Sequence, residues 1–330
     1  MTNLTLKQMR YFEALAEHRH FGNAAAVCAI SQPALSVQIK EMERELGTSL
    51  FERSARQVRL THFGEALAVR VRDILRSVDE LGDFARTAQG KLVGRFRLGI
   101  IPTIAPYLLP QVLRNLSQSH PGLDIHVRET LTPRLVQELT QGKIDCALVA
   151  LPVTAPGLAE MPLFDEDFLL VRPATEQKEP APGPEDLRQM RLLLLEEGHC
   201  FREQALAFCN TGPKLPRDGL DGSSLATLVQ MVGAGIGVTM IPSMAKAVET
   251  RSAAVDCTRF KGQQPSRTIG MVWRKTSPLE RQLRDIAMVV KQAGTVHEKP
   301  VAQDAFFEEF GVEFSNFRRL PWQWYAVLIA

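Results

Sequence analysis

Two cysteines, Cys200 and Cys209, stand nine positions apart in the run Glu196-Glu197-Gly198-His199-Cys200-Phe201-Arg202-Glu203-Gln204-Ala205-Leu206-Ala207-Phe208-Cys209. The apolar residues Leu192 to Leu195 before it read as a buried strand, Gly198 as a turn, and Phe201 to Phe208 as a short helix. On one continuous helix, nine residues rise about 13 Å and, at about 100° each, turn the two side chains to opposite faces. A disulfide needs Cα atoms within roughly 7 Å. Either these are two buried structural cysteines, a common fate for the residue, or they bond only after the helix is taken apart, which would be a redox switch.

The surroundings of Cys200 suit thiolate chemistry. His199 is adjacent, Arg202 is two residues on, and the cysteine opens a helix, and each of these favours a thiolate. Glu196, Glu197 and Glu203 oppose them. The other three cysteines, Cys28, Cys146 and Cys257, form no C-x-x-C zinc or thioredoxin pattern. An odd, sparse set implies a reducing compartment. No signal peptide or 18-residue apolar span is visible, so a cytoplasmic location with no membrane partner is expected.

The elements that must position this pair begin far upstream. With 330 residues, 45% apolar and 23% charged, the chain suits two or three globular domains, and its net charge of +2 is no global basic signature. Leu6, Met9, Phe12, Leu15 and Ala16 share a helical face, and an Ala-rich helical segment runs from Phe21 to Ile30. Ser31 then caps a third helix with Pro33 in its first turn. Leu35, Ile39, Met42 and Leu46 form its inner face, Gln32, Ser36, Gln38 and Lys40 the other, and Gly47 ends it. This is a helix-turn-helix arrangement, and Gln, Ser and Lys can reach base edges or phosphate. Behind it, Arg53, Arg56 and Arg59 flank a short strand at Val58 and Leu60, as in a wing that touches phosphate or the minor groove. Residues 1–64 carry eight Lys/Arg against six Asp/Glu, so the DNA-binding case rests on these local groups. The alternative is a small helical domain with a solvated basic loop.

Thr61 can cap a long helix. Its Leu67, Val71, Ile74, Val78, Leu81 and Ala85 step by 4, 3, 4, 3 and 4, a heptad seam. A second copy of the helix is the simple cover for that seam and would pair two reading heads on a two-fold operator. The alternative cover is the chain's own domain. Gly90 to Gly94 reads as a hinge.

The remainder alternates strands and helices, predicting α/β layers in two subdomains with a cleft. Strands are expected at Phe96–Ile101, Asp124–Glu129, Lys143–Leu151, Asp167–Val171, Gly237–Ile241 and Arg267–Trp273. Helices are expected at Pro106–Gln118, Thr132–Thr140, Ser223–Val232, Ser243–Val248 and Pro278–Ala293. Gly233-Ala234-Gly235-Ile236-Gly237 follows a helix and opens a strand, the reverse of a dinucleotide loop, so no cofactor is expected and the glycines read as close backbone approach. Thr103, at the carboxyl end of the first of these strands, is either a ligand contact or a helix cap.

The order of elements from about residue 4 to 293 resembles the LysR-type transcriptional regulators. Ala24-Ala25, Ser31-Gln32-Pro33-Ala34-Leu35-Ser36, Leu46-Gly47, Leu50-Phe51-Glu52-Arg53 and Leu60-Thr61 carry the likeness. The peroxide-sensing members are the nearest in pattern, through Glu17-His18-Arg19-His20-Phe21, Ile101-Pro102-Thr103, Pro106-Tyr107-Leu108-Leu109-Pro110, Glu197-Gly198-His199-Cys200 and Arg267-Thr268-Ile269-Gly270. The resemblance implies a winged helix-turn-helix over 1–64, a dimerisation helix over 65–90, and a two-subdomain α/β regulatory domain similar to periplasmic binding proteins over 91–297.

It further implies that Gln32, Pro33, Ser36, Gln38, Lys40, Arg53, Arg56 and Arg59 meet double-stranded promoter DNA. Cys200 would be the peroxidatic cysteine and Cys209 the resolving one, with H2O2 as the signal. Thr103, Thr132, His199, Glu203 and Arg267 would surround the peroxide, with Arg267 favouring the thiolate and Glu203 standing where the best-known members carry aspartate. Related members form dimers and tetramers and act on RNA polymerase as activators or repressors. No metal is implied.

Two other functions compete: a regulator sensing a small metabolite in the cleft, and a peroxide-reducing enzyme. The enzyme leaves the long heptad helix and the recognition helix without a use. Residues 298–330, with Phe306, Phe307, Phe310, Phe314, Phe317, Trp322, Trp324 and Tyr325, depart from the pattern, and their aromatic content favours docking over disorder.

Overall fold

The computed structural model describes residues 3–53, 58–87, 93–187, 189–209 and 221–297. The aromatic tail, Arg56 and the hinge residues Gly90 to Leu92 lie outside them.

The N-terminal unit consists of α1 (Leu6–His18), α2 (Phe21–Val27), α3 (Gln32–Leu46), β1 (Phe51–Arg53) and β2 (Val58–Leu60). Thr5 and Gln8 cap α1 reciprocally. α2 stops at Val27, three residues short of the expected end, and Ala29 takes a left-handed φ of 53°. Ser31 Oγ accepts from Ala34 N at 3.3 Å to start α3, and Gly47 at φ 68° ends it. Phe12, Leu15, Leu35, Ile39, Met42 and Leu50 make the core. The face of α3 left to solvent bears Gln32, Pro33 and Lys40, with Ser36 and Gln38 half-buried and Gln38 donating to Glu41. β1 and β2 pair antiparallel as the wing, with Arg59 exposed.

Helix α4 (His62–Thr87) is capped by Thr61 Oγ1, which accepts from Gly64 N at 2.9 Å. It corrects the expected heptad seam. Gly64, Ala68, Val71 and Leu75 face the N-terminal core, and Val71 is buried there while Leu67 packs against it. The unit's own core therefore covers that end. Farther along, Ile74 and Leu81 are exposed, at 42% and 66%. The Ala85 side chain lies outside the description.

The regulatory unit runs β3 (Gly94–Ile100), α5 (Ala105–Ser119), β4 (Leu123–Glu129), α6 (Thr132–Thr140), β5 (Cys146–Leu151), β6 (Leu158–Pro173), α7 (Pro184–Leu187), α8 (Cys200–Phe208), α9 (Leu225–Gly233), β7 (Thr239–Pro242), α10 (Lys246–Glu249), β8 (Val255–Thr258), β9 (Ser266–Arg274) and α11 (Glu280–His297). The sheet order is β4-β3-β5-β9-β6-β7, with β8 also on β6. β3 pairs β4 and β5 in parallel, whereas β9 runs antiparallel to both β5 and β6. The first half of β6 lies on β9 and its second half on β7 and β8, so β6 and β9 tie together two α/β halves.

β6 is far longer than the expected strand. Pro162 and the acids Glu160, Asp165 and Glu166 break the sequence pattern, but Pro162 falls at a register shift before Phe164, and the acids accept hydrogen bonds from Val153 N, Thr268 Oγ1 and Arg267 Nε. Leu192 and Leu195 make only isolated parallel bridges, to Val238 and Gly222. Gly237 meets its expected use: a Cβ there would lie 2.3 Å from the Arg191 carbonyl oxygen. Among the described residues no helix is long and apolar enough to cross a membrane.

Candidate functional site

Cys200 is the first residue of α8 and Cys209 follows its last. The helix therefore holds the two sulfurs at opposite ends, as the spacing requires. Both are thiols; no disulfide joins any of the five cysteines. Cys209 is buried in the regulatory core, whereas Cys200 is half-buried and packs against it. Gly198, at φ 94°, makes the turn into the helix, and a Cβ there would lie 3.1 Å from Leu131 Cδ1. The loop before Cys200 thus runs close beside Leu131, the residue before Thr132.

His199 is the N-cap of α8 but makes no side-chain cap bond. Burial pushes its pKa below the ordinary value, and Glu196 partly offsets this. The imidazole is consequently neutral at pH 7 and able to take a proton. Arg202 turns away from thiolate duty: Nη1 donates to the Leu195 carbonyl at 2.7 Å and pairs with Asp221 at 3.0 Å.

Arg267 and Thr103 form the buried floor. Arg267 Nη1 donates to Thr103 Oγ1 at 2.8 Å and Nη2 to the Thr103 carbonyl at 3.0 Å. Nε donates to Glu166 Oε2 at 2.8 Å, and Glu166 Oε1 accepts from Met244 N at 3.1 Å. Thr103 is therefore not the cap of α5; Ile104 holds that position without a side-chain bond. The positive charge of Arg267 is matched by Glu166, and the guanidinium stacks 5.7 Å from the Phe201 ring centroid. It braces the residue after Cys200 rather than addressing the sulfur with a free charge.

Thr132 opens α6, and its Oγ1 is buried without a hydrogen-bond partner. Glu203 is displaced from the expected pocket: it is exposed on the outer side of α8. Gln204 takes the inner place. It lies four residues after Cys200, hence on the same helix face, and its Oε1 is also buried without a partner. Sequence reasoning passed over Gln204, although its i+4 spacing from Cys200 was legible.

A cleft of about 450 Å³ opens beside this site. Thr103 and His199 line it with Tyr107, Glu129, Ser224 and Glu249, while Cys200, Thr132, Glu203 and Arg267 do not. Tyr107 Oη donates to Glu249 Oε1 at 2.7 Å, joining α5 to α10 across it. Burial and this bond both push the Tyr107 hydroxyl pKa up. Among the described residues no group of three or more His, Cys, Asp or Glu converges as a metal site.

A winged helix-turn-helix joined by a long helix to a two-half α/β unit is the architecture of a bacterial regulator, and the comparisons agree. The model for the bacterial regulatory helix-turn-helix protein, lysR family, matches residues 6–65, and that for the LysR substrate binding domain matches 89–294. The chain belongs to the LysR family.

Within that family it closely resembles OxyR. It is 37% identical over 307 residues to the DNA-binding transcriptional dual regulator OxyR of Escherichia coli K12, spanning 92% of this chain and 100% of that one. A probable hydrogen peroxide-inducible genes activator of Streptomyces viridosporus is 42% identical, over 88% of this chain and 94% of the relative. In structure, a full-length OxyR variant from Pseudomonas aeruginosa matches with a TM-score of 0.70 at 33% identity, over 88% of this chain and 96% of that one. An H2O2-bound mutant of Corynebacterium glutamicum OxyR matches with a TM-score of 0.62 at 34% identity, over 94% and 96%.

Proposed function

We infer that this chain is a hydrogen peroxide-sensing, DNA-binding transcription regulator of oxidative-stress genes, switched by a reversible Cys200–Cys209 disulfide. The observation that carries the reading is the placement of two thiols at the two ends of α8, one of them beside a neutral imidazole and a buried unpartnered acceptor on its own face.

The chemistry takes two steps. The Cys200 thiolate attacks one oxygen of H2O2. An S–O bond forms, the O–O bond breaks, and hydroxide leaves and takes a proton to become water. The sulfur is oxidised by two electrons to a sulfenic acid and the peroxide is reduced. Cys209 then attacks that sulfur, forming S–S and releasing the oxygen as water. Thr103, Thr132 and Gln204 Oε1 are assigned to hydrogen bonds with the peroxide, His199 to the proton, and Arg267 to positioning. Glu203 tunes the field at the helix start from outside.

The second step demands that α8 unwind, since its ends cannot meet while it is helical. We assign Gln32, Pro33, Ser36, Gln38, Lys40, Arg53, Arg56 and Arg59 to promoter DNA, and the exposed stretch of α4 around Ile74 and Leu81 to a dimer that associates further into a tetramer and engages RNA polymerase. Rebuilding residues 200–209 would repack contacts between copies and reset the spacing of the reading heads.

Brief low-dose H2O2 followed by thiol alkylation and peptide-mapped mass spectrometry tests this. The expected product is a Cys200–Cys209 peptide lighter by two hydrogens, reversed by a dithiol, with C200S binding DNA but unresponsive to peroxide. A freely alkylating Cys200 with no internal disulfide would sink the switch.

The cleft favours a second reading. Its volume far exceeds that of a peroxide molecule, so a small metabolite held by Ser224, Glu129 and Glu249 is the alternative signal. Thermal shift of the fully reduced protein against metabolite sets separates the two.

A further inference from the structure

The regulatory half touches the N-terminal unit through the far end of α6. Lys143 Nζ pairs with Glu17 Oε1 of α1 at 2.5 Å. Arg76 Nη1 of α4 donates to the Thr140 carbonyl at 3.2 Å, at the carboxyl end of α6 where a cation is favoured. Gly142, at φ 72°, lets Arg76 close in: a Cβ there would lie 3.3 Å from Arg76 Cγ. Glu13, one turn before Glu17, lies within electrostatic range of Lys143 at the same junction.

The near end of α6 lies at the cysteine site. Thr132 is its first residue, and Leu131 before it abuts Gly198, two residues from Cys200. Between its ends the helix is nine residues, about 13 Å long, and it is held as a body. Leu135 and Leu139 are fully buried. Glu138 accepts from Arg128 Nε at 3.2 Å and Arg134 Nε at 3.1 Å. Arg274 Nη1 holds the Leu139 carbonyl at 2.9 Å.

We propose that α6 is a strut within one chain, transmitting the state of the 198–200 segment to the winged helix-turn-helix unit through the Lys143–Glu17 and Arg76–Thr140 latch. The signal rests on the redox reading above; the strut and latch do not. In the reduced form Gly198 seats against Leu131, α6 is in place and the latch holds the reading head against the regulatory unit. Unwinding of α8 withdraws that seat, α6 shifts, and the head is released. A half-exposed ion pair and one charged hydrogen bond are individually weak, which suits a contact that must open reversibly. Coupling of this kind is reciprocal: opening the latch must also be felt at the Cys200 segment.

The test uses full-length reduced protein with three variants: E17K, K143E and the E17K/K143E swap. Footprints on promoter DNA and amide hydrogen exchange are read together. Both single reversals should give the footprint of the peroxide-treated wild type, narrow the affinity ratio between redox forms by about fivefold, and quicken exchange at residues 196–200. The swap should restore all three. Scoring the ratio removes the plain gain in DNA attraction that an added lysine brings. Wild-type footprints in the single variants, or exchange changes confined to residues 13–17 and 140–143, would overturn the strut. The footprint and ratio arms take the peroxide-treated wild type as their reference, whereas the exchange arm uses reduced protein alone. A missing Cys200–Cys209 disulfide in the same samples therefore defeats the redox reading alone, and the strut still stands or falls on the exchange at residues 196–200 and its restoration in the swap.

Discussion

Arg267 grips Thr103 twice, through Oγ1 at 2.8 Å and through the main-chain carbonyl at 3.0 Å, while its third side is matched by Glu166. All three groups are buried. Thr103→Val removes one acceptor and leaves a guanidinium N–H unsatisfied, with an expected loss of about 1–3 kcal/mol. Arg267→Ala strands the Glu166 carboxylate and should cost about 3–5 kcal/mol. Urea unfolding should rank the two in that order. A milder Arg267→Ala would mean that Glu166 reaches another partner.

Gln204 makes a contrasting prediction. Its Oε1 is buried and unpartnered, so Gln204→Leu should be near neutral in stability. If that acceptor meets peroxide, the second-order rate of Cys200 oxidation should fall about tenfold, equivalent to about 1.4 kcal/mol. Stopped-flow rates alongside thermal melts decide it; a large stability loss with an unaltered rate makes Gln204 merely structural.

Thiol reactivity should divide by burial. Burial pushes the Cys257 thiol up to about 11 and raises those of Cys28 and Cys146 as well. At pH 7 these three remain protonated and should resist iodoacetamide in the native fold, with Cys257 labelling gaining speed only as pH climbs toward about 11. Time-resolved peptide mapping should show Cys200 labelled ahead of them. Equal labelling at pH 7 would mean that these burials are transient.

The lowered pKa of His199 sets a pH window. The unfolded imidazole protonates near 6.5, before the folded one. Stability attributable to His199 is therefore complete above that value and is lost as pH falls through the lower, folded value. The oxidation rate should likewise show no His199 step between pH 8 and about 6.5, and His199→Asn should remove any step below it. An inflection above pH 7 that is present in the wild type and abolished by His199→Asn would contradict the burial effect; one that persists in the variant belongs to another group.

Helix α4 should separate assembly from folding. Ile74→Glu with Leu81→Glu changes exposed side chains, so the variant should fold and sediment as a smaller species. Val71→Glu places a charge in the N-terminal core and should unfold that unit instead. Circular dichroism with analytical ultracentrifugation distinguishes the outcomes, and an unchanged mass for the double variant would move the dimer contact elsewhere.

Much of the framework was legible in local chemistry. Ser31, Pro33 and Gly47 mark the ends of α3 through capping and backbone preferences that act within a few residues, and α6 falls over the expected Thr132–Thr140. Strand β6 was half hidden because its charged and proline positions make sense only against β9, which lies about a hundred residues away in the chain. The heptad pattern of α4 could not reveal which apolar residues face the unit's own core, because two packing partners accept the same spacing.

At the site, the separation of Cys200 and Cys209 follows from helical rise alone, and the sequence determined it along with the winged helix-turn-helix order. Which groups surround Cys200 was decided by the tertiary structure. Glu203 turns outward and Gln204 inward because the fold sets the rotation of α8. Arg267 is spent on Glu166 because β6 and β9 run side by side. Lys143 reaches Glu17 only because the fold brings the turn after α6 against α1. Local propensities act along the chain, whereas burial and charge pairing depend on which distant segments the sheet brings together.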